Sequence, residues 1–176
     1  MSSHIDKAPV VAGAEAWSHV GNKRVGALCI HGFTGNPSSM RGVAEAFAGA
    51  GYDVELPRLP GHGTAVSDMI PSRWGDWTFE VAAAYARLAA RVDKVVVAGL
   101  SMGGSLTLWT ALRQPSVSGI ICVNPASQPQ AEEMLEMVKG MLAEGTETFP
   151  GIGSDIADPE VKESSYPETP LAPLVS

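Results

Sequence analysis

Lys94-Val95-Val96-Val97-Ala98-Gly99-Leu100-Ser101-Met102-Gly103-Gly104 is a run in which a strand-forming segment passes into a helix-forming one, with a single serine at the junction. The β-branched valines favour an extended backbone. After Met102, the residues Ser105, Leu106, Leu108, Trp109, Ala111, Leu112 and Arg113 suit a helix until Gln114-Pro115 stops it. Gly99 and Gly103 stand two residues to either side of Ser101. So tight a turn brings the flanking positions together and leaves no room for a Cβ at either. Ser101 is then expected in a strained backbone conformation that exposes its Oγ at the end of a sheet. The pattern is G-x-S-x-G, a nucleophile elbow. By itself it is a weak match in a chain with 19 glycines, and the strand before it and the helix after it separate it from a plain structural turn. Other glycine-rich loops fail here. Gly99-Leu100-Ser101 is not G-x-G, and Ser105 follows Gly104 where a phosphate-binding loop would need lysine.

Upstream, Arg24 to His31 (RVGALCIH) reads as a strand buried on both faces. Asn36-Pro37 is a helix start, with Asn as cap and Pro at the first helical position. That helix should run to about Gly49, followed by a strand from Tyr52 to Leu56, which implies a right-handed parallel crossover. Residues 57–63 read as loop, and a helix is expected from about Arg73 to Arg91, with Trp74, Trp77, Val81, Tyr85 and Leu88 as its core stripe. A further strand is expected at Gly119 to Asn124. The alternation gives an α/β architecture with a mostly parallel sheet flanked by helices. Residues 1–22 could form a strand or a docked extended arm.

We divide the chain into a core, 1–128, and a cap-like segment, 129–176. Ala131 to Ala143 reads as an amphipathic helix whose methionines (Met134, Met137, Met141) either line an adaptable acyl pocket or form an ordinary buried face. From Glu144 onward no durable period is evident, so a lid-like insertion or a partly disordered tail is expected.

The 176 residues, 45% of them hydrophobic, suffice for one globular core, and the net charge is −7. No Lys/Arg cluster with interleaved aromatics points to nucleic acid. No apolar run reaches membrane-spanning length, and residues 1–7 lack the pattern of a secretion signal, so a cytoplasmic location is expected. Cys29 and Cys122 sit in apolar strand-like runs without metal-ligand spacing, so no metal is expected.

His31-Gly32-Phe33-Thr34-Gly35, Pro60-Gly61-His62-Gly63 and Gly99-Leu100-Ser101-Met102-Gly103-Gly104, in that order, make the chain resemble the α/β-hydrolase family, and within it the small bacterial carboxylesterases and monoacylglycerol lipases. The resemblance runs from Val25 to the end. It implies an α/β-hydrolase fold with Ser101 as nucleophile and the backbone N–H groups of Phe33 and Met102 as an oxyanion hole, without a cofactor. It also implies that His31 and His62 are structural, and that the elbow strand separates Cys29 from Cys122, too far apart for a disulfide. The implied substrate is a small neutral ester or monoacylglycerol.

The chain departs from the family at one point. The family's order is Ser, then Asp or Glu, then His, and no histidine follows Ser101. Our expectation is an N-terminal part of a longer hydrolase, incomplete at its C-terminal side, its missing part either unrecorded or a second chain. The 119–124 strand would then be an open apolar edge. Two other readings keep the fold: an acyltransferase or carbon–carbon bond hydrolase, and a truncated homologue that binds a ligand without turnover.

Overall fold

The valine run forms β4 (Lys94–Leu100), the strand on which the sheet is centred. β2 (Val25–Ile30) lies on one side of it and β5 (Val117–Val123) on the other, both parallel to it. β3 (Asp53–Leu56) pairs parallel with β2, and β1 (Trp17–His19) pairs antiparallel with β3, for a sheet order β1-β3-β2-β4-β5. This computed structural model describes residues 5–151, 153, 156–158, 160 and 164–176.

The strands alternate sides as their sequence dictates. Leu28, Ile30, Val95 and Val97 point to a face covered by α3 (Trp74–Ala89) and α4 (Met102–Arg113), where Trp77, Val81, Leu88 and Leu106 meet them. Ala27, Cys29, Val54, Leu56 and Ala98 point to the opposite face, against Met40 and Ala44 of α1 (Ser38–Gly49). α1 begins one residue later than expected, with Pro37 rather than Asn36 at its cap position, while Asn36 Oδ1 accepts the Ser38 amide at 3.0 Å. A short helix, α2 (Val66–Met69), precedes α3.

β3 carries acidic side chains on one face. Asp53 and Glu55 are buried on the side away from Val54 and Leu56, and Arg91 bonds to both, at 3.0 Å and 2.9 Å. Partnering makes burial of these carboxylates tolerable. The N-terminal residues realise both readings offered for them. Residues 17–19 add a strand, and an extended arm ahead of them docks through Val11, whose amide donates to Gly63 O.

After Glu144, where a lid-like insertion or a partly disordered tail was expected, the described residues include short regular elements. α5 (Glu132–Ala143) is followed by a two-stranded antiparallel sheet, β6 (Thr148–Pro150) with β7 (Glu168–Pro170), and by a 3₁₀ turn at Ala172–Val175. The short strands escaped notice because three residues are too few to show a period. Residues 152, 154, 155, 159 and 161–163 of this segment lie outside the described residues.

Cys29 and Cys122 are free, and β4 lies between their strands. β5 is the edge, with Ile120, Ile121 and Val123 all exposed. Among the described residues no helix is long and apolar enough to cross a membrane.

The elbow glycines are held to their identity by backbone. A Cβ on Gly99 would overlap the Gly103 carbonyl, and one on Gly103 would overlap the Ile30 carbonyl and lie 2.6 Å from His31 O. Neither obstacle is a side chain that can turn aside. Gly99→Ala and Gly103→Ala are each expected to destabilise the fold by about 3 kcal/mol or more, the upper end of overpacking costs, read as a lower urea midpoint. A midpoint equal to the parent's would refute the close approach.

Candidate active site

Ser101 stands between β4 and α4 with φ 54° and ψ −120°. A non-glycine residue in this region costs about 1–3 kcal/mol, and it persists only where its surroundings enforce it. Here they do. The Ser101 amide donates to Val123 O of β5 at 2.9 Å, and the Ser101 carbonyl accepts from Gly104. The side chain faces a cavity of about 470 Å³.

Register explains what else meets Ser101 there. Ile30 of β2 lies opposite Gly99 of β4, so both strands end at the same level. The loop after β2 therefore begins beside the elbow, and Gly32, Phe33 and Thr34 form one wall of the cavity. A Cβ on Gly32 would lie 3.3 Å from Ser101 Cβ. Thus Ser101 and Phe33, singled out from sequence, come together. Met102 contributes differently: its side chain is buried in the core under α4 and away from the cavity wall, while its amide opens the helix. Among the described residues, neither the Phe33 nor the Met102 amide donates to a backbone acceptor. Two free N–H groups and the positive end of a 12-residue helix beside one hydroxyl favour an oxygen that gains negative charge.

Neither buried histidine bonds to Ser101 Oγ. His31 is fully buried; the Leu59 amide donates to its Nε2 at 3.1 Å, and its Nδ1 donates to Gly32 O at 3.0 Å. It thereby ties the loop after β2 to the loop after β3. His62 is fully buried too, with Nδ1 3.0 Å from Pro60 O, and its ring meets those of His31, Phe33 and Trp77 edge-on at 5.0, 6.3 and 5.6 Å. Its Nε2 has no hydrogen-bond partner among the described residues. Burial, reinforced by the neighbouring His62 ring, pushes His31 well below the ordinary histidine range; burial likewise lowers His62 to about 4. Both are neutral packing elements near pH 7. His19 stacks on Trp17 in β1, across the sheet from the elbow, and His4 lies outside the described residues. No group of three His, Cys, Asp or Glu side chains gathers as a metal site among the described residues.

The opposite wall comes from the cap-like segment through Gly151, Ser164, Ser165, Tyr166 and Thr169. Tyr166 is its anchor. Its amide donates to Thr34 O, its hydroxyl donates to Gly61 O at 2.9 Å, and it accepts the Thr64 amide at 3.0 Å. Ser164 accepts from the Asn36 side chain. Sequence reasoning missed these residues; the only signal was a lone aromatic in a polar stretch. The acyl-pocket reading of the α5 methionines is corrected. None of them lines this cavity, and Met134 and Met137 are about half exposed, so neither methionine forms the ordinary buried face offered as the alternative; Val138 is the buried residue of this helix.

The profile of the family described as alpha/beta hydrolase fold matches residues 28–151. A thermostable monoacylglycerol lipase of Bacillus sp. (strain H-257) is 44% identical over 169 residues, which is 95% of this chain and 65% of the relative. A carboxylesterase of Bacillus subtilis (strain 168) is 29% identical over 88% of this chain and 61% of its own length. A solved structure from work on two metagenome-derived lipolytic enzymes, LipS and LipT, superposes with a TM-score of 0.87 at 43% identity, covering 95% of this chain and 67% of that one. The chain therefore spans less than two thirds of the length of the curated relatives it matches.

The histidine pair has a consequence for stability. The unfolded chain binds a proton at His62 near pH 6.5, whereas the folded chain resists until about pH 4. Stability from this group is complete above pH 6.5 and is lost as pH falls toward 4, by about 3 kcal/mol in all. The urea midpoint of the parent should fall more steeply over that window than that of His62→Gln; parallel slopes would show that His62 is not held neutral by the fold.

Proposed function

The chain belongs to the alpha/beta hydrolase family, and on that premise we propose that it is the elbow-bearing part of a serine carboxylester hydrolase of the esterase or monoacylglycerol lipase kind. The observation that carries this reading is the Ser101 backbone, at φ 54° and ψ −120°, opening on a cavity that it shares with Phe33. The named activities of the Bacillus relatives support it.

In this reading Ser101 Oγ attacks the carbonyl carbon of an uncharged ester. The carbonyl oxygen becomes an anion facing the amides of Phe33 and Met102. Each such preorganised donor contributes about 3–4 kcal/mol to the barrier reduction, because it need not reorient as the charge develops. Collapse of the tetrahedral intermediate breaks the ester C–O bond; the alcohol leaves with a proton, and the acyl group stays on Oγ. Water then attacks the acyl-enzyme and the carboxylic acid departs. Residues 129–176 act as the cap over this site, supported by the wall that Ser164 to Tyr166 contribute.

A base must remove the Ser101 proton, because a hydroxyl is a weak nucleophile at its own pKa. His31 and His62 are unsuited, each being buried with its Nδ1 on a backbone carbonyl. We place the base, and the acid that orients it, outside these 176 residues; the unmatched third of the relatives leaves room for them. The same absence of a base favours a second reading, ligand binding without turnover.

A fluorophosphonate probe separates the two. On a hydrolase that supplies the base, stoichiometric labelling at Ser101 and hydrolysis of p-nitrophenyl butyrate are expected, both abolished by Ser101→Ala. The 176-residue chain alone should turn over at least about a thousandfold more slowly, the scale of loss when a triad member is removed. No labelling in either form would leave the non-catalytic reading standing.

A further inference from the structure

Three non-glycine residues among those described have positive φ: Thr34 at 59°, Ser101 at 54° and Asn124 at 42°. All three line the cavity described above. The elbow accounts for Ser101. It does not account for the other two, which lie on different loops, one after β2 and one after β5.

Glycine would adopt either conformation at little steric cost, and it occupies other positive-φ positions here, including Gly51, Gly61 and Gly63. A β-branched residue such as threonine is a distinct outlier in this region, and asparagine is tolerated but not favoured over glycine. At both positions the chain therefore keeps a hydrogen-bonding side chain against a conformational cost. Local structure uses little of that capacity. Thr34 Oγ1 donates to Phe33 O at 2.7 Å, which leaves its lone pairs available. The Asn124 side chain is exposed and has no hydrogen bond to any described residue. The remaining polar wall is of one kind: Ser39, Ser165 and Thr169 carry hydroxyls, and no charged side chain among the described residues lines the cavity.

We propose that Thr34 and Asn124 are specificity-determining residues that flank Ser101 and hydrogen-bond the uncharged, hydroxyl-bearing alcohol part of the substrate. Their assignment to the alcohol side rests on the ester-hydrolase reading; their contact with a hydroxylated ligand does not. Asn124 offers both a donor and an acceptor, and Thr34 an acceptor, which matches neighbouring hydroxyls. Among the described residues, a charged leaving group would find no counter-charge in this wall.

The test uses two uncharged ethers that cannot be hydrolysed, 1-O-butylglycerol and butyl methyl ether, titrated into the 176-residue chain by ligand-observed NMR. The parent should prefer the glycerol ether. Thr34→Gly and Asn124→Gly should each weaken glycerol-ether binding by roughly three- to tenfold, one lost hydrogen bond, with a smaller effect on the methyl ether. Both variants should keep or raise the thermal midpoint, since glycine relieves the backbone. An unchanged preference in both variants, no preference in the parent, or a lowered midpoint in either variant overturns the proposal, the last because it would mark a role in the fold. Retained preference in the parent, lost in the variants, together with absent fluorophosphonate labelling of the base-bearing form, would sink the hydrolase reading and leave these contacts standing.

Discussion

The contact on which the structure depends is the approach of the α4 backbone at Gly103 to the carbonyl oxygens of Ile30 and His31 at the end of β2. No side chain intervenes. Two main-chain segments can lie this close only if neither carries a Cβ at the crossing, and Gly99 meets the same condition on the other side of the turn. The consequence reaches beyond packing. Because the helix starts against β2, the serine at its head stands beside the loop that leaves β2. The distance between a candidate nucleophile and a candidate oxyanion donor is thereby set by backbone sterics, which do not relax as side chains do. Ser101 carries the resulting strain, and the parallel register of β2, β4 and β5 absorbs it.

Around that contact the loops are held by polar groups rather than by apolar area. His31 joins the loop after β2 to Leu59, Asp6 accepts the Gly61 amide, and Asp68 accepts the amides of Lys7 and Ala8. Each bond links segments far apart in the chain, and each satisfies a backbone group that water would otherwise serve. Tyr166 does the same from the cap-like segment, reaching Thr34, Gly61 and Thr64 at once. Among the described residues, the unpaired Nε2 of His62 is the exception, a buried acceptor that costs about 1–3 kcal/mol inside an otherwise aromatic box. Its ring packs on Phe33 and Trp77, so it acts through shape as much as through its nitrogens.

Legibility in the sequence follows the range of the interaction. The valine run, the Asn36-Pro37 helix start, the Trp77-Val81-Leu88 stripe and the G-x-S-x-G turn are local patterns, each written within a few residues and repeated with a strand or helix period. They sufficed for the α/β class, for the order of the main elements and for Ser101, whereas Phe33 as its neighbour came only from the resemblance to the α/β-hydrolase family. The exposed Ile121 and Val123 on the edge strand were foreseeable in the same way, from an apolar run with nothing in these residues to cover it. By contrast, the strand at Tyr52 to Leu56 does not show how Asp53 and Glu55 are neutralised until Arg91 is seen beside them, because the pairing spans more than thirty residues. The methionines of α5 looked suited to a pocket, yet a helix's apolar face does not say which surface it will meet.

The sequence by itself determined the elbow, since glycine at 99 and 103 and a strand-to-helix change at Ser101 are local requirements that few other folds share. Only the tertiary structure decided what surrounds it. That Thr34 and Asn124 would join Ser101 as strained residues on one cavity, and that Tyr166 would form its far wall, depends on three loops and a distant segment converging at the ends of parallel strands. Backbone strain and long-range hydrogen bonds leave no periodicity in the chain. They arise only once the sheet has brought those strand ends to a common level.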